Sequence, residues 1–299
     1  MEGDSKIVIW DVANANVPGL PHKGELVLVN LNHKDVRDQR QSEYANIKAV
    51  IDAITHVKRE SLSTEQTDKL FQVAKATPEQ LERAYKILTD KSLYKDVSNL
   101  AFVMACLAGV DKGKLFTYPA GKSVHHTYQG GLIVHTAEVV QICRGVVAAF
   151  PFKHLINQDV VFAGATLHDI GKVFTYGLDE IGSPIHNVLE SYVGHIYYGV
   201  QHLQKVGEER KVDEGFLHEV MHVVASHHTN PQFGAIKEPA SLEAIIVSQA
   251  DYLGSRAGML ESKLAPMKKN GTKLDEEWKA FDQRFIVGTA IKDWYSKGE

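Results

Sequence analysis

Fifteen histidines punctuate this 299-residue chain. About half of them form one ordered series: His125 and His126, His135, the doublet His168-Asp169, His195, and the doublet His227-His228, closed by Asp251. Imidazole and carboxylate are the usual ligands of a catalytic metal centre, and no cysteine interrupts the series. Nitrogen and oxygen donors without thiolate suit Mn²⁺, Fe, Ni²⁺ or catalytic Zn²⁺ better than a closed structural zinc site. The most specific piece is His168-Asp169, inside Thr166-Leu-His-Asp-Ile-Gly-Lys172. Adjacent residues on a helix point about 100° apart, so this pair can serve one site only if the helix ends there, as Gly171 suggests. A carboxylate such as Asp169 can bridge two cations while the neighbouring imidazole holds one of them. Two ions about 4 Å apart stabilise both the attacking and the leaving oxygen in phosphoryl hydrolysis, and they lower the pKa of a water between them. The chemistry expected is therefore metal-dependent hydrolysis, with no serine or cysteine nucleophile.

Other residues could assist. Lys172, one turn beyond His168, is placed to face a substrate phosphate or to protonate a leaving oxygen. A loop after Tyr118-Pro-Ala-Gly121 carries Lys122, His125 and His126. These three join Lys172 as candidate substrate-binding groups, and His126 joins Asp169 and Lys172 as a candidate catalytic group. Single histidines on apolar helices are more often core or surface residues than ligands, and His56, His154, His186 and His202 are read that way. Asp251 sits in Ile-Val-Ser-Gln-Ala-Asp-Tyr-Leu, where a carboxylate would be costly unless a cation or a donor meets it.

A competing motif lies in His-Glu-Val-Met-His-Val-Val-Ala-Ser-His-His, residues 218–228. His218 and His222 at i, i+4 share a helix face, Glu219 could act as a base, and His228 follows six residues after His222. The extended zinc-protease pattern needs glycine where Ala225 stands, because its helix must turn there. That reading also leaves His135, His168-Asp169, His195 and Asp251 without a role.

The elements that must position these groups are mostly helical. Residues 6–12 and 25–30 are β-rich runs separated by Pro18-Gly19, Pro21 and Gly24, which are turn signals. A third strand over 47–57 is ambiguous with helix. Thr77-Pro78 then starts a helix with a capping residue and proline at the first position, and residues 96–110 form another. Further helices are expected near 131–150, 157–172, 190–206, 214–228 and 241–264, each carrying at least one member of the series. A bundle whose facing side chains converge on a central site is the natural architecture. The expected layout is a small β-rich, partly OB-like unit over 1–60 and a helical connector over 61–117. A core over 118–265 follows, then a C-terminal loop around Lys268-Lys269-Asn-Gly and a final amphipathic helix over 266–299.

Composition narrows the classes. The chain is 44% hydrophobic and 23% charged, the balance of a globular protein with a buried core. Lys plus Arg number 33 against 37 Asp plus Glu, for a formal charge of −4. The first 60 residues carry no hidden basic patch either. Any nucleic-acid contact must therefore draw on a local groove or on the metals. Two cysteines in apolar stretches suggest buried free thiols in a reducing compartment. With no secretory signal and no long apolar run, a cytoplasmic location without membrane contact is the expectation.

The order His135, His168-Asp169, His195, His227-His228, Asp251 resembles the HD superfamily of metal-dependent phosphohydrolases, whose minimum is the His-Asp doublet plus a distant His and Asp. The extra histidines resemble its binuclear branch, which includes cyclic-dinucleotide phosphodiesterases of the HD-GYP type. A closer resemblance is to bacterial 3′-5′ exoribonucleases of the YhaM type, which place an OB-fold before the HD domain. It is carried by Tyr118-Pro-Ala-Gly-Lys-Ser-Val-His-His-Thr-Tyr-Gln-Gly-Gly-Leu-Ile-Val-His-Thr136, Leu-His-Asp-Ile-Gly-Lys172, Gly194-His-Ile, Ser226-His-His and Ala250-Asp251-Tyr-Leu. It covers roughly residues 80–295.

Carried over by position, the resemblance implies that His135, His168, Asp169 and Asp251 hold one metal, with Asp169 bridging to a second held by His195, His227 and His228. It gives Lys172 a phosphate contact and favours manganese, and two ions in all. There are two departures. Only two or three strands precede Glu60, where an OB-fold has five, so Trp10 would be a lone stacking aromatic. Thr229-Asn-Pro-Gln-Phe-Gly stands where a Gly-Tyr-Pro signature would be expected.

The function expected is a metal-dependent phosphodiester hydrolase, a 3′-5′ exonuclease on RNA or single-stranded DNA, and the chain could form a homo-oligomer. The alternatives are a nucleotidase or cyclic-(di)nucleotide phosphodiesterase acting on small nucleotides, and a non-enzymatic binding scaffold.

Overall fold

The structure, a computed structural model, describes residues 5–9, 26–32, 50–56, 75–121, 126–179 and 184–270, with the three N-terminal strands and residues 260–270 as backbone only. Lys122, His125, Trp10 and the expected final helix beyond residue 270 lie outside the described residues. The chain divides into two units, residues 1–72 and 73–299.

In the first unit, β1 (Ser5–Ile9), β2 (Leu26–Asn32) and β3 (Val50–His56) form an antiparallel sheet in the order β1-β2-β3. The ambiguous segment is thus a strand, paired from Val27 with His56 to Asn32 with Val50. The register shifts between Asn30 and Leu31, a bulge that bends the central strand.

The described part of the second unit is almost wholly helical. Helix α1 (Pro78–Leu88) opens with a capping box: Gln80 N–H donates to Thr77 Oγ1, and Thr77 N–H donates to Gln80 Oε1. After α2 (Val97–Ala108) and α3 (Lys112–Thr117) comes α4 (Gly131–Ala149), entered through Gly130 at a φ of 83°. This 19-residue helix is long and apolar enough by composition to cross a membrane. Here it packs against α1, against α5 (Gln158–Leu167) and against α10 (Leu242–Asn270), and buries Ile133, Val139 and Val140. Residues 266–270, expected as loop, continue α10.

Helix α5 is the centre of the bundle. Every residue from Asp159 to Leu167 is buried, and it touches α2, α4, α10 and α9 (Glu214–Ser226). A side chain at Gly164 would meet Val223 Cγ1 at 2.4 Å, so the missing Cβ lets α5 and α9 approach closely. The carboxylate of Asp159 anchors the start of α5 by accepting from the backbone N–H groups of Lys95 and Asp96 at 2.8 and 2.9 Å.

The expected helix 157–172 is in fact broken. It stops at Leu167, and His168 to Gly171 form a tight turn before the short α6 (Lys172–Thr175). A two-strand hairpin, β4 (Tyr176–Leu178) with β5 (Pro184–His186), and α7 (Val188–Tyr192) follow. The expected helix 190–206 also divides, at Val193-Gly194, before α8 (His195–Arg210). Gly194 takes a φ of 81°, a conformation that favours glycine.

Gly171 serves the site differently from the sequence expectation. Its φ is −62°, not left-handed, so it is no C-capping glycine. A Cβ there would lie 1.8 Å from the carbonyl oxygen of His195 and 2.7 Å from Gly199 N. The turn after α5 is pressed against the start of α8, backbone to backbone. Gly171→Ala must push α8 away, and we expect it to cost about 3 kcal/mol, at the high end for overpacking. Urea unfolding checks this: a loss under 0.5 kcal/mol, on the order expected of surface substitutions, would show that the two segments are not held this closely.

Candidate metal centre

Helix ends aim most of the histidines inward. His168 and Asp169 occupy the turn after α5, His195 is the first residue of α8, and His227-His228 follow α9. His135 and Asp251 project from within α4 and α10. His135, His168, Asp169, His195 and His227 are all buried, while Asp251 and His228 are half-buried at the edge.

Asp169 stands at the middle. Its Oδ2 lies 3.3 Å from His168 Nε2 and 3.9 Å from His135 Nε2. Its Oδ1 lies 3.5 Å from both His195 Nε2 and His227 Nε2. Asp251 Oδ1 completes the first side, 3.0 Å from His135 Nε2 and 3.9 Å from His168 Nε2. His228 joins the second side, with a ligand atom within 4.8 Å of those of Asp169, His195 and His227. Ligands about 2.0–2.2 Å from one ion stand roughly 3.0–3.6 Å from each other, so several of these separations match the edges of a coordination shell.

Hydrogen bonds on the far side of four of the rings fix what they present. The Nδ1 atoms of His168, His227 and His228 lie 2.8 Å from the carbonyl oxygens of Ala165, Val224 and Phe233. A carbonyl can only accept, so Nδ1 carries the proton and donates. In the neutral ring the Nε2 lone pair then points into the cluster, the arrangement metal-binding histidines use. His195 Nδ1 lies 3.0 Å from Glu190 Oε1, a carboxylate that acts in the same way. Inside the cluster His168 Nε2, His195 Nε2, His227 Nε2 and Asp169 Oδ1 are buried without a hydrogen-bond partner in the protein. Each such atom costs about 1–3 kcal/mol if left so. Four of them facing one another fit a cation.

Charges point the same way. Burial alone would raise the pKa of Asp169, but Lys172 and then His168 hold it well below the ordinary carboxylate range. Asp251, likewise opposed by burial, is lowered by its hydrogen bond with His135. Burial pushes His135 and His195 downward. Burial and the neighbouring His227 and His228-facing His195 rings bring His228 to about 3. The cluster thus offers anionic carboxylates, with His135, His195 and His228 favoured as neutral imidazoles, the protonation states that metal ligands need, while Asp169 holds His168 above its ordinary value against the pull of burial.

Lys172 is placed otherwise than a residue facing substrate. It is buried, with Nζ 2.6 Å from both Asp169 Oδ2 and the carbonyl of Ala120. His126, also buried, takes a φ of 45°, and its Nε2 lies 3.0 Å from Glu138 Oε2. Its ring centroid is 5.2 Å from that of His135, at the edge of the cluster.

The histidines of the competing motif do not gather. His218 is exposed, and His222 Nε2 accepts from Ala240 N–H at 2.9 Å. Among the described residues, the groups able to hold a metal include neither, nor Glu219. His202 donates to the Cys106 carbonyl and His186 stacks on Tyr176, so both have structural contacts. Cys106 and Cys143 are buried free thiols.

Sequence reading missed Glu190 and Glu138. No pattern marks either: Glu190 reaches His195 only because α7 ends and Gly194 turns the chain back.

Comparison with known proteins accords with this arrangement. Residues 132–255 match the family model described as HD domain. The segment runs from just before His135 to just after Asp251, so the whole cluster lies inside it. Among curated proteins, a 3′-5′ exoribonuclease YhaM of Listeria innocua serovar 6a is 28% identical over 174 residues, 57% of this chain and 53% of the relative. One from Bacillus licheniformis is 31% identical over 160 residues, covering 52% and 48%. One from Bacillus subtilis (strain 168) is 23% identical over 270 residues, covering 89% and 79%. The chain spans about half the length of the first of these relatives.

Two outcomes follow from the site's geometry. In metal-free protein, Lys172→Ala leaves Asp169 as a buried charge without its cation and should cost about 3–5 kcal/mol. A substitution that leaves urea stability unchanged would mean that Lys172 spends its time outside the cluster. Glu190 behaves differently with pH. Although burial works against its charge, His195 holds its pKa at about 2, below the usual 4.5. Its contribution to stability is therefore full above pH 4.5 and is lost as the pH falls toward 2. Glu190→Gln should be less stable than the parent at neutral pH, the gap closing over that interval in unfolding curves. A pH-independent gap would contradict the assignment.

Proposed function

We propose that this protein is a divalent-metal-dependent phosphodiester hydrolase, a 3′-5′ exonuclease acting on RNA or single-stranded DNA. The observation that carries the reading is Asp169, whose two carboxylate oxygens face two separate sets of imidazoles within one buried HD-domain cluster. His135, His168 and Asp251 would hold one cation with Asp169 Oδ2, and His195, His227 and His228 a second with Oδ1. The oxygen and nitrogen donor set accommodates manganese. Bound divalent cations lower the pKa of a water and neutralise charge developing on the phosphoryl oxygens.

The protein's own contribution is to preorganise. Backbone carbonyls hold the rings of His168, His227 and His228 so that little reorganisation is needed when a phosphate arrives. Glu190 keeps His195 in the productive tautomer. Lys172 orients Asp169 and, through Ala120, ties the loop before α4 to the site. The nucleophile is water, which fits a cluster without serine or cysteine. His126, held by Glu138 beside His135, would be a group outside the ligand set able to exchange a proton with the reacting phosphate. The direction of digestion and the preference for polymers rest on the named relatives, two of which match about half their length. The OB-like reading of the N-terminal unit would supply further strand contacts.

The test is release of mononucleotides from a 5′-labelled single-stranded oligonucleotide with Mn²⁺, beside a panel of nucleotides and cyclic dinucleotides. We expect stepwise shortening from the 3′ end, abolished by chelation and restored by Mn²⁺. His168→Ala and Asp169→Ala should abolish turnover with the fold retained, and Glu219→Gln should leave it largely intact. A substrate profile confined to small or cyclic nucleotides would overturn the exonuclease.

A further inference from the structure

The buried ammonium of Lys172 meets more than its two oxygens. A lysine side chain has three N–H donors and no acceptor. Two contacts are to oxygen, at Asp169 Oδ2 and at the carbonyl of Ala120. Over the same ammonium lies the ring of Tyr176, its centroid 5.5 Å from Nζ. Burial works against the charge of Lys172, and Asp169 sustains it, holding the pKa above the ordinary lysine value. A cation within about 6 Å of a ring centroid is attracted by the electrons of the ring face, most strongly where water is excluded. Here water is excluded: Lys172 is 5% and Tyr176 8% exposed.

The same ring meets a candidate metal ligand. Its centroid lies 6.1 Å from that of His195 with the planes at 81°, an edge-to-face contact. Tyr176 opens β4 directly after α6, opposite His186 of β5, whose ring packs on it at 4.5 Å. The hairpin therefore fixes where the ring stands. Tyr176 touches one group on each side of the central carboxylate: Lys172, which holds Asp169 Oδ2, and His195, which faces Oδ1. Any apolar side chain of similar size would fill the space. Only an aromatic face also answers the ammonium.

We propose that Tyr176 is a positioning residue for the metal centre. Its ring holds Lys172 on Asp169 and braces His195, so that His195 Nε2 and Asp169 Oδ1, 3.5 Å apart, stay at a spacing that suits a shared cation. The inference rests on the two-cation reading above and adds to it a residue that is itself no ligand.

The experiment uses the full-length protein stripped of metal, with its Tyr176→Phe, Tyr176→Leu and Tyr85→Leu variants. Phenylalanine keeps the ring face; leucine keeps apolar bulk and removes the face. Tyr85 is the control: Lys112 Nζ lies 5.3 Å over its ring, the same kind of contact on α1, a helix that carries none of the cluster's residues. Mn²⁺ binding is followed by titration calorimetry, which gives the number and affinity of the ions without turnover. Losing a group that orients a ligand from outside typically weakens metal affinity by about 10- to 100-fold. Tyr176→Leu should weaken the second ion by about that factor and leave the first little changed. Tyr176→Phe and Tyr85→Leu should match the parent.

The inference is overturned if Tyr176→Leu binds both ions as the parent does, if both ions weaken equally, or if Tyr176→Phe is as impaired as the leucine variant. A parent that binds fewer than two ions would sink the two-cation function, while the hold of the ring on Lys172 is still decided without metal. Urea unfolding of Tyr176→Leu, Lys172→Met and the double variant measures it. A desolvated contact of this kind is worth roughly 30-fold in an equilibrium constant. Tyr176→Leu should therefore raise the unfolding constant by about that factor more in the parent than in the Lys172→Met background. Equal effects in the two backgrounds overturn the inference. Should the leucine variant not fold, Tyr176→Met takes its place in both series.

Discussion

A carboxylate buried among imidazoles is an expensive object, and the architecture around Asp169 exists to make it tolerable. Burial disfavours its charge, Lys172 and His168 restore it, and one of its oxygens still has no hydrogen-bond partner within the protein. A protein pays such a cost where a cation completes the set. That single requirement accounts for several features that would otherwise look unrelated: the broken helix at His168, the side-chain-free approach at Gly171, and the ring-by-ring anchoring of Nδ1 atoms to carbonyl oxygens.

The scaffold meets the requirement with helix ends more than with helix faces. Side chains at the last residue of one helix and the first of another can converge without competing for the same face, and the backbone groups left over at those ends are at hand to orient them. His168, His195 and His227 each sit at such a boundary. Helix α5 supplies the rigid reference. It is buried from Asp159 to Leu167, anchored at its start by Asp159 and crossed closely by α9 at Gly164. The cluster's geometry is therefore inherited from apolar packing, which transmits position well because interiors are close-packed.

Lys172 shows how the same residue type can serve different ends. An ammonium one turn beyond a His-Asp doublet suggests a phosphate contact when read along the chain. In the folded protein it lies inside, shared between Asp169 and the carbonyl of Ala120. It sets the charge and orientation of the central carboxylate and links the site to the segment leading into α4.

Much of this site was legible in the chain. Residue types, their order and the absence of thiolate marked nitrogen and oxygen ligands for a cation, and helical periodicity marked a bundle to carry them. Thr77-Pro78 announced the start of α1, because capping chemistry is local. What the sequence left open depended on contacts between distant segments. The strand at 50–56 had no local signature to separate it from helix, and pairing with β2 decided it. Glu190 and Glu138 carried no motif, since a carboxylate that orients a ring is defined by where the chain folds back. His218 and His222 matched a ligand pattern by spacing, yet the folded helix turns one outward and gives the other to a backbone N–H. Sequence determined which groups were available; tertiary structure decided which of them meet, because convergence of side chains is a property of how helices pack and not of any one helix.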